Sequence, residues 1–60
     1  MTDYRQLVEN SIEKCQSSAA DLRVAAKKTE NTAAKNSFAQ VAKDLEACVQ
    51  KCRMALKQLS

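Results

Sequence analysis

The chain has 60 residues, contains no glycine, proline, histidine or tryptophan, and carries a formal charge of +3. At this length we expect one domain at most. One core of this size supplies only about 3–5 kcal/mol, so we also expect a partner, a disulfide or a metal to add stability. The composition lacks an imidazole base, a glycine-rich phosphate loop and a serine motif on a strand-to-helix turn, and we predict a non-enzymatic protein with no catalytic residue and no cofactor.

The charge pattern argues against nucleic acid as a partner. The ten basic residues are spread over the whole chain, and one Phe and one Tyr offer no platform on which bases could stack. Uncharged runs such as 36–42 are much shorter than the roughly 20 apolar residues that cross a bilayer, so we expect no membrane insertion. No secretory leader is recognised before the helical pattern, which favours a cytoplasmic protein with reduced thiols.

The first predicted helix covers about residues 3–29. Asp3 followed by Gln6 resembles a capping box and marks its start. Apolar and small residues then recur at alternating spacings of four and three, the pattern of helices that pack side by side. This first seam consists of Tyr4, Val8, Ser11, Cys15, Ser18, Leu22, Ala25 and Thr29.

The turn is predicted at about residues 30–32. The second seam is displaced from the first by about 200° around a helix, so one straight helix could not carry both. Asn31 is expected to end the first helix in the left-handed conformation, and Thr32 is expected to cap the second. Residues whose numbers add up to about 62 should then lie level with each other across an antiparallel hairpin.

The second predicted helix covers about residues 33–59, and Phe38 is expected to anchor it on Leu22 and Ala25 of the first. Its seam consists of Ala34, Phe38, Val41, Leu45, Cys48, Cys52, Ala55 and Leu59. From the two seams together, the predicted core residues are Val8, Leu22, Phe38, Val41 and Leu45.

A third apolar column runs beside each seam and predicts a second copy of the chain. It consists of Ile12, Ala19 and Ala26, followed by Ala42, Val49 and Leu56. Two helices share one contact line, so we expect this column to face water in a single hairpin and to form the dimer interface. The predicted fold is all-α, an antiparallel two-helix hairpin that dimerises into a four-helix bundle; a partner helix from another protein is the alternative.

The cysteines leave three interpretations open. Cys48 and Cys52 lie four residues apart in the second seam, and Cys15 lies in the first. They are small buried core residues, or Cys15 and Cys48 form a disulfide on oxidation, or the three thiolates hold a soft ion such as copper(I). The hairpin register expected above places Cys15 opposite Cys48 and Cys52 opposite Ser11.

The segment around the predicted turn, 25-AAKKTENTAAKNSFAQVAKDL-45, resembles a family of very small helical proteins of endospore-forming bacteria that are encoded beside SpoVA spore-membrane channel proteins. The resemblance follows the pattern T-x-N-x-x-A-K-x-x-[FY], which begins here at Thr29 and ends at Phe38. The chain departs from the family in its three cysteines and in lacking an acidic tail. The family has no established activity, so the resemblance implies a setting in sporulation and no mechanism.

The Cys-x-x-x-Cys spacing at 48–52 also resembles, in part, the cysteine-rich four-helix bundles that store copper(I), which carry many such pairs. We therefore predict a small non-enzymatic interaction or structural protein, with a thiolate metal-binding or redox-responsive protein that uses Cys15, Cys48 and Cys52 as the competing class.

Overall fold

The computed structural model describes residues 3–59 and consists of two α-helices packed as a hairpin. Helix α1 covers Tyr4–Lys28 and helix α2 covers Thr32–Gln58, so each end differs by one residue from the expected bounds. Alanine, leucine, lysine, glutamine and glutamate fill most of both helices, and these are the residues with the highest helix propensity. Within the described residues there is no strand, and the prediction of an all-α hairpin is confirmed.

Helix α1 begins with half of the expected capping box. Asp3 is the N-cap, and its Oδ1 accepts a hydrogen bond of 2.9 Å from the backbone N–H of Arg5. The side chain of Gln6 donates to Oδ1 of Asn10 at 2.9 Å, one turn further along the helix. The acidic cap therefore pairs an amide at the positive end of the helix dipole, while Gln6 supports the exposed face of the first two turns.

The corner between the helices is built differently from the expectation. Asn31 is not left-handed: its φ is −78° and its ψ is 114°, and no described residue has a positive φ. Asn31 instead caps α2, since its Oδ1 accepts from the N–H of Ala34 at 2.9 Å, and Thr32 is the first residue of that helix. Thr29 ends α1 in an extended conformation, and its Oγ1 accepts from the N–H of Asn31 at 3.2 Å. Side-chain oxygens of Thr29 and Asn31 thus bind the backbone amides of the corner, where we expected a left-handed backbone to end the helix.

Replacing Asn31 by alanine should lower the stability of the hairpin by about 1 kcal/mol, because the N–H of Ala34 loses its partner. In a chain this small, the midpoint of thermal unfolding should fall by about 4–8 °C, measured by circular dichroism at 222 nm. Asn36→Ala is the matched control: Asn36 is exposed inside α2, and alanine is the better helix former there. Equal effects of the two substitutions would contradict the cap.

The core of the hairpin is one column of side chains on each helix. The buried members are Ile12, Ala19 and Ala26 on α1 and Ala42 and Val49 on α2, and Leu56 continues the column half-buried. Three of these six are alanines, so little side-chain volume separates the two backbones. Helices that meet through small residues approach to the close end of the usual range, with axes about 8 Å apart. We call this set the buried column.

The register of the hairpin is shifted relative to the expectation. Residues 16–23 of α1 line one surface groove with residues 46–53 of α2, and residues 9–16 line another with residues 53–56. From these groupings we infer that residues whose numbers add up to about 68, such as Ala19 and Val49, lie level. Arg23 forms an ion pair with Glu46, which adds up to 69. The expected value of about 62 is therefore wrong, and every cross-hairpin pair inferred from it changes.

The extended corner explains this shift. Thr29 and Asn31 both have extended backbones, with ψ of 141° and 114°, and carry the chain onward past the end of α1 before α2 begins. The first turns of α2 consequently overhang α1, and at the other end α1 overhangs α2 by about six residues, or about 9 Å. The length of the molecule agrees, because it measures 47 Å while α2 alone is about 40 Å long.

Candidate functional site

One long side of the hairpin carries no charged side chain between residues 4 and 59, and we call it the uncharged side. Two columns on each helix form it. The inner columns, beside the core, are Val8, Cys15, Leu22 and Thr29 on α1 and Phe38, Leu45, Cys52 and Leu59 on α2. The outer columns are Tyr4, Ser11, Ser18 and Ala25 on α1 and Ala34, Val41, Cys48 and Ala55 on α2. These sixteen positions are the two seams of the sequence, now found side by side on the surface.

The predicted core residues lie on this uncharged side. Four of them, namely Val8, Leu22, Phe38 and Leu45, are half-buried in the inner columns. Val41 belongs to an outer column and is 45 % exposed, so it is not a core residue of the hairpin. In the observed register Phe38 lies level with Thr29, one to two turns nearer the corner than Leu22 and Ala25, on which we expected it to rest.

The residues predicted as the dimer interface are the buried column of a single hairpin. We expected this column to face water, and that expectation is wrong, because each helix covers the column of the other. The physical reason is that the spacing of four and three fits two neighbouring phases, and the helices meet in the more apolar one. Self-association itself remains a prediction, and its surface has to be sought elsewhere on the hairpin.

The three thiols are free and differ in their surroundings. Cys15 and Cys52 are half-buried in facing inner columns, whereas Cys48 is exposed in an outer column. The shifted register brings Cys15 closer to the level of Cys52 than to that of Cys48, opposite which we expected it. Among residues 3–59, no three side chains of Cys, Asp or Glu come together closely enough to hold a metal ion.

The opposite side of the hairpin has a shallow groove of about 420 Å³, with polar side chains such as Gln16, Gln50 and Arg53 along its rim. Its floor is Ala19 and Val49, and the exposed ion pair between Arg23 and Glu46 spans it. Exposed ion pairs contribute about 0–1 kcal/mol, so this one helps to select the register more than it stabilises the fold. This ion pair could not be predicted from the sequence, since a cross-hairpin pair can be recognised only once the register is known.

A second polar groove of about 350 Å³ continues along the same side, where Glu9, Glu13 and Arg53 meet. All three side chains are exposed, as the sequence suggests for a solvated face. Among the described residues no buried side-chain nitrogen or oxygen lacks a hydrogen-bond partner, so this groove offers no buried polar group that would select a substrate. We therefore take the uncharged side with its three thiols, and not the grooves of the opposite side, as the candidate functional surface.

Within residues 3–59, neither helix contains a stretch long and apolar enough to cross a membrane. Comparison of the chain with protein-family models, with curated proteins and with solved structures finds no match. The resemblance to the small proteins of spore-formers accordingly remains a prediction that rests on the residues at the corner.

Proposed function

We propose that this protein is a non-enzymatic interaction module whose uncharged side packs against the same side of a second copy, giving a four-helix bundle. The observation that carries the proposal is the absence of charge over the full length of that side, while Val41 and the outer columns stay accessible in one hairpin. An uncharged stripe this long on so small a chain gains free energy when a partner removes it from water.

The size of the surface fits a stable dimer. The hairpin measures 47 by 19 by 10 Å between Cα atoms, so its broad side is 47 by 19 Å. A rectangle of these dimensions has an area close to the roughly 800 Å² that each partner buries in an interface of standard size. A single partner helix would cover only about half the width of this side, which favours a second hairpin as the occupant.

The hydroxyl group of Ser11 on the uncharged side does not oppose burial. The hydroxyl of Ser11 donates to the backbone carbonyl of Leu7 at 3.1 Å, so a partner can cover it without leaving an unpaired donor. Ser18, Ala25 and Ala55 are small and would let two hairpins approach closely.

The borders of this side also suit self-association. The next positions around α1 are Lys14, Asp21 and Lys28, and the corresponding positions of α2 include Asp44 and Lys51. Both borders carry both signs, so a second copy can meet unlike charges at its rim. Borders of a single sign would instead have predicted a partner of opposite charge.

The test is the mass in solution of two matched valine variants. Val41→Glu places a charge on the uncharged side and should weaken self-association at least about 100-fold, because a desolvated carboxylate without a partner costs several kcal/mol. Val24→Glu is the control, since Val24 is 50 % exposed on the outer face of α1. Sedimentation equilibrium should give twice the chain mass of 6.6 kDa for the wild type and for Val24→Glu, and a monomer for Val41→Glu. A folded wild-type monomer at 100 micromolar would overturn the proposal.

A further inference from the structure

Cys15 and Cys52 occupy one layer of the hairpin. Their numbers add up to 67, as do those of Leu22 and Leu45 in the next layer toward the corner. Both members of each pair are half-buried, as expected for side chains that face each other beside the core. The two cysteines therefore stand level to within about one residue, or about 1.5 Å along the helix axes.

We expect a close approach of the helices at this layer, because its neighbours Ile12, Ala19 and Val49 are buried. The layer is flanked by two layers of the buried column, Ile12 with Leu56 and Ala19 with Val49. The Cα atoms lie about 2.3 Å from each axis, and Cys15 is rotated by about 60° from Ile12. With axes about 8 Å apart, Cα atoms turned by that angle are about 6 Å from each other, inside the 4.4–6.8 Å range of disulfides.

Cys48 does not have this geometry. It lies five residues, or about 7.5 Å along the axis, from the level of Cys15, and it is exposed in the outer column. A bridge to Cys52 is disfavoured as well, because Cβ atoms at positions i and i+4 of a helix are about 5–6 Å apart, whereas a disulfide needs about 3.8 Å. Only one of the three possible pairs therefore fits.

We infer that Cys15 and Cys52 form a redox-active thiol pair that closes to an intrachain disulfide when the protein meets a low-molecular-weight disulfide. One thiolate attacks the external disulfide, forms a mixed disulfide and releases one small thiol. The second thiolate then attacks the protein sulfur of the mixed disulfide, closes the bond between the helices and releases the second small thiol. Two protein thiols are oxidised, one external disulfide is reduced, and Cys48 remains outside the bridge.

The bridge would join the two helices of one hairpin, so its geometry does not depend on the proposed dimer. Both cysteines belong to the uncharged side, so the external disulfide would reach them in the separated hairpin. The bridge ties the two helices together in the half of the molecule away from the corner, where no chain connection holds them. A crosslink between distant residues restricts the unfolded chain, so the midpoint of thermal unfolding should rise by at least about 10 °C. Oxidation would thus convert a marginal hairpin into a locked one.

Trypsin distinguishes the possible bridges, because it cuts after Lys14, Arg23, Lys43, Lys51 and Arg53. Cys15 falls in the fragment 15–23, Cys48 in 44–51 and Cys52 in 52–53. The reduced protein is treated with oxidised glutathione, digested without reduction and analysed by mass spectrometry. We expect 15–23 linked to 52–53, with the thermal midpoint raised before digestion. Linkage of 15–23 to 44–51, or glutathione adducts with no intrachain bridge, would overturn the inference.

Two serine variants and one charge variant complete the test. Cys48→Ser should form the bridge as readily as the wild type, and Cys52→Ser should form no intrachain bridge although circular dichroism shows it folded. The variant Val41→Glu, which we expect to be monomeric, should also form the bridge. The disulfide and the proposed dimer are therefore tested independently. If Cys52→Ser forms an intrachain bridge as fast as the wild type does, then Cys15 and Cys52 do not lie in one layer.

Discussion

Ala42→Asp should unfold the hairpin at 25 °C. Ala42 is 0 % exposed, the most completely buried side chain in the described chain, and it meets α1 at the level of Ala26. A carboxylate there would lose its water and find no cation or hydrogen-bond donor, which costs several kcal/mol. That cost equals or exceeds the roughly 3–5 kcal/mol available to a domain of this size.

The matched control is Ala47→Asp, the same substitution on the same helix. Ala47 is exposed, and an aspartate there lies four residues before Lys51, with which it can pair. Circular dichroism should show the helical signal lost for Ala42→Asp and retained for Ala47→Asp, with a thermal midpoint within a few degrees of the wild type. A cooperative thermal transition in Ala42→Asp, near the wild-type midpoint, would mean that the two helices do not meet at this column.

The fold could be predicted from the sequence because local and global signals agree. Strong helix formers fill both halves of the chain, and the spacing of four and three marks one side of each helix. The phase of the apolar residues changes between Thr29 and Ala34, which requires a corner there. Helix propensity, apolar spacing and the change of phase can all be recognised without knowing the conformation of the corner, and together they predict a helical hairpin.

The sequence did not determine which column of side chains forms the core, because two phases of the apolar spacing fit it. Val8, Cys15 and Leu22 belong to the spacing of four and three whether the second member of each turn is Ser11 or Ile12. We took the phase with Ser11, while the helices meet in the phase with Ile12. Residue size offered a signal, because serines at positions 11 and 18 are poorer core residues than Ile12 and Ala19.

The register failed for a separate reason. A left-handed Asn31 would have turned the chain back at once and placed Cys15 opposite Cys48. The extended backbones at Thr29 and Asn31 displace α2 along α1 instead. Asparagine serves both as a helix end and as an N-cap, so the sequence is compatible with either corner, and the location of the thiol pair depends on which one forms.

Substitutions at three valines distinguish the core of the hairpin from the surface proposed for self-association. Val49 is 4 % exposed and Val24 is 50 % exposed, and both lie inside helices. Val49→Ala should lower the free energy of unfolding by about 2 kcal/mol, since it removes buried methyl groups and leaves a small cavity. Val24→Ala should leave it unchanged or raise it slightly, because alanine is the better helix former and no packing is lost.

Val41→Ala then reports on the uncharged side. In one hairpin Val41 is 45 % exposed, so at low protein concentration its loss should resemble that of Val24. When a second copy covers it, the substitution removes buried surface from the interface, and the stability loss should grow as the protein concentration rises through the dissociation constant. Urea unfolding of the three variants at 1 and at 100 micromolar measures both effects. If Val41→Ala lowers the stability as much as Val49→Ala does, at both protein concentrations, then Val41 is a core residue of the hairpin and the buried column is wrong. If Val41→Ala causes no loss of stability at either concentration, then no second copy packs on the uncharged side.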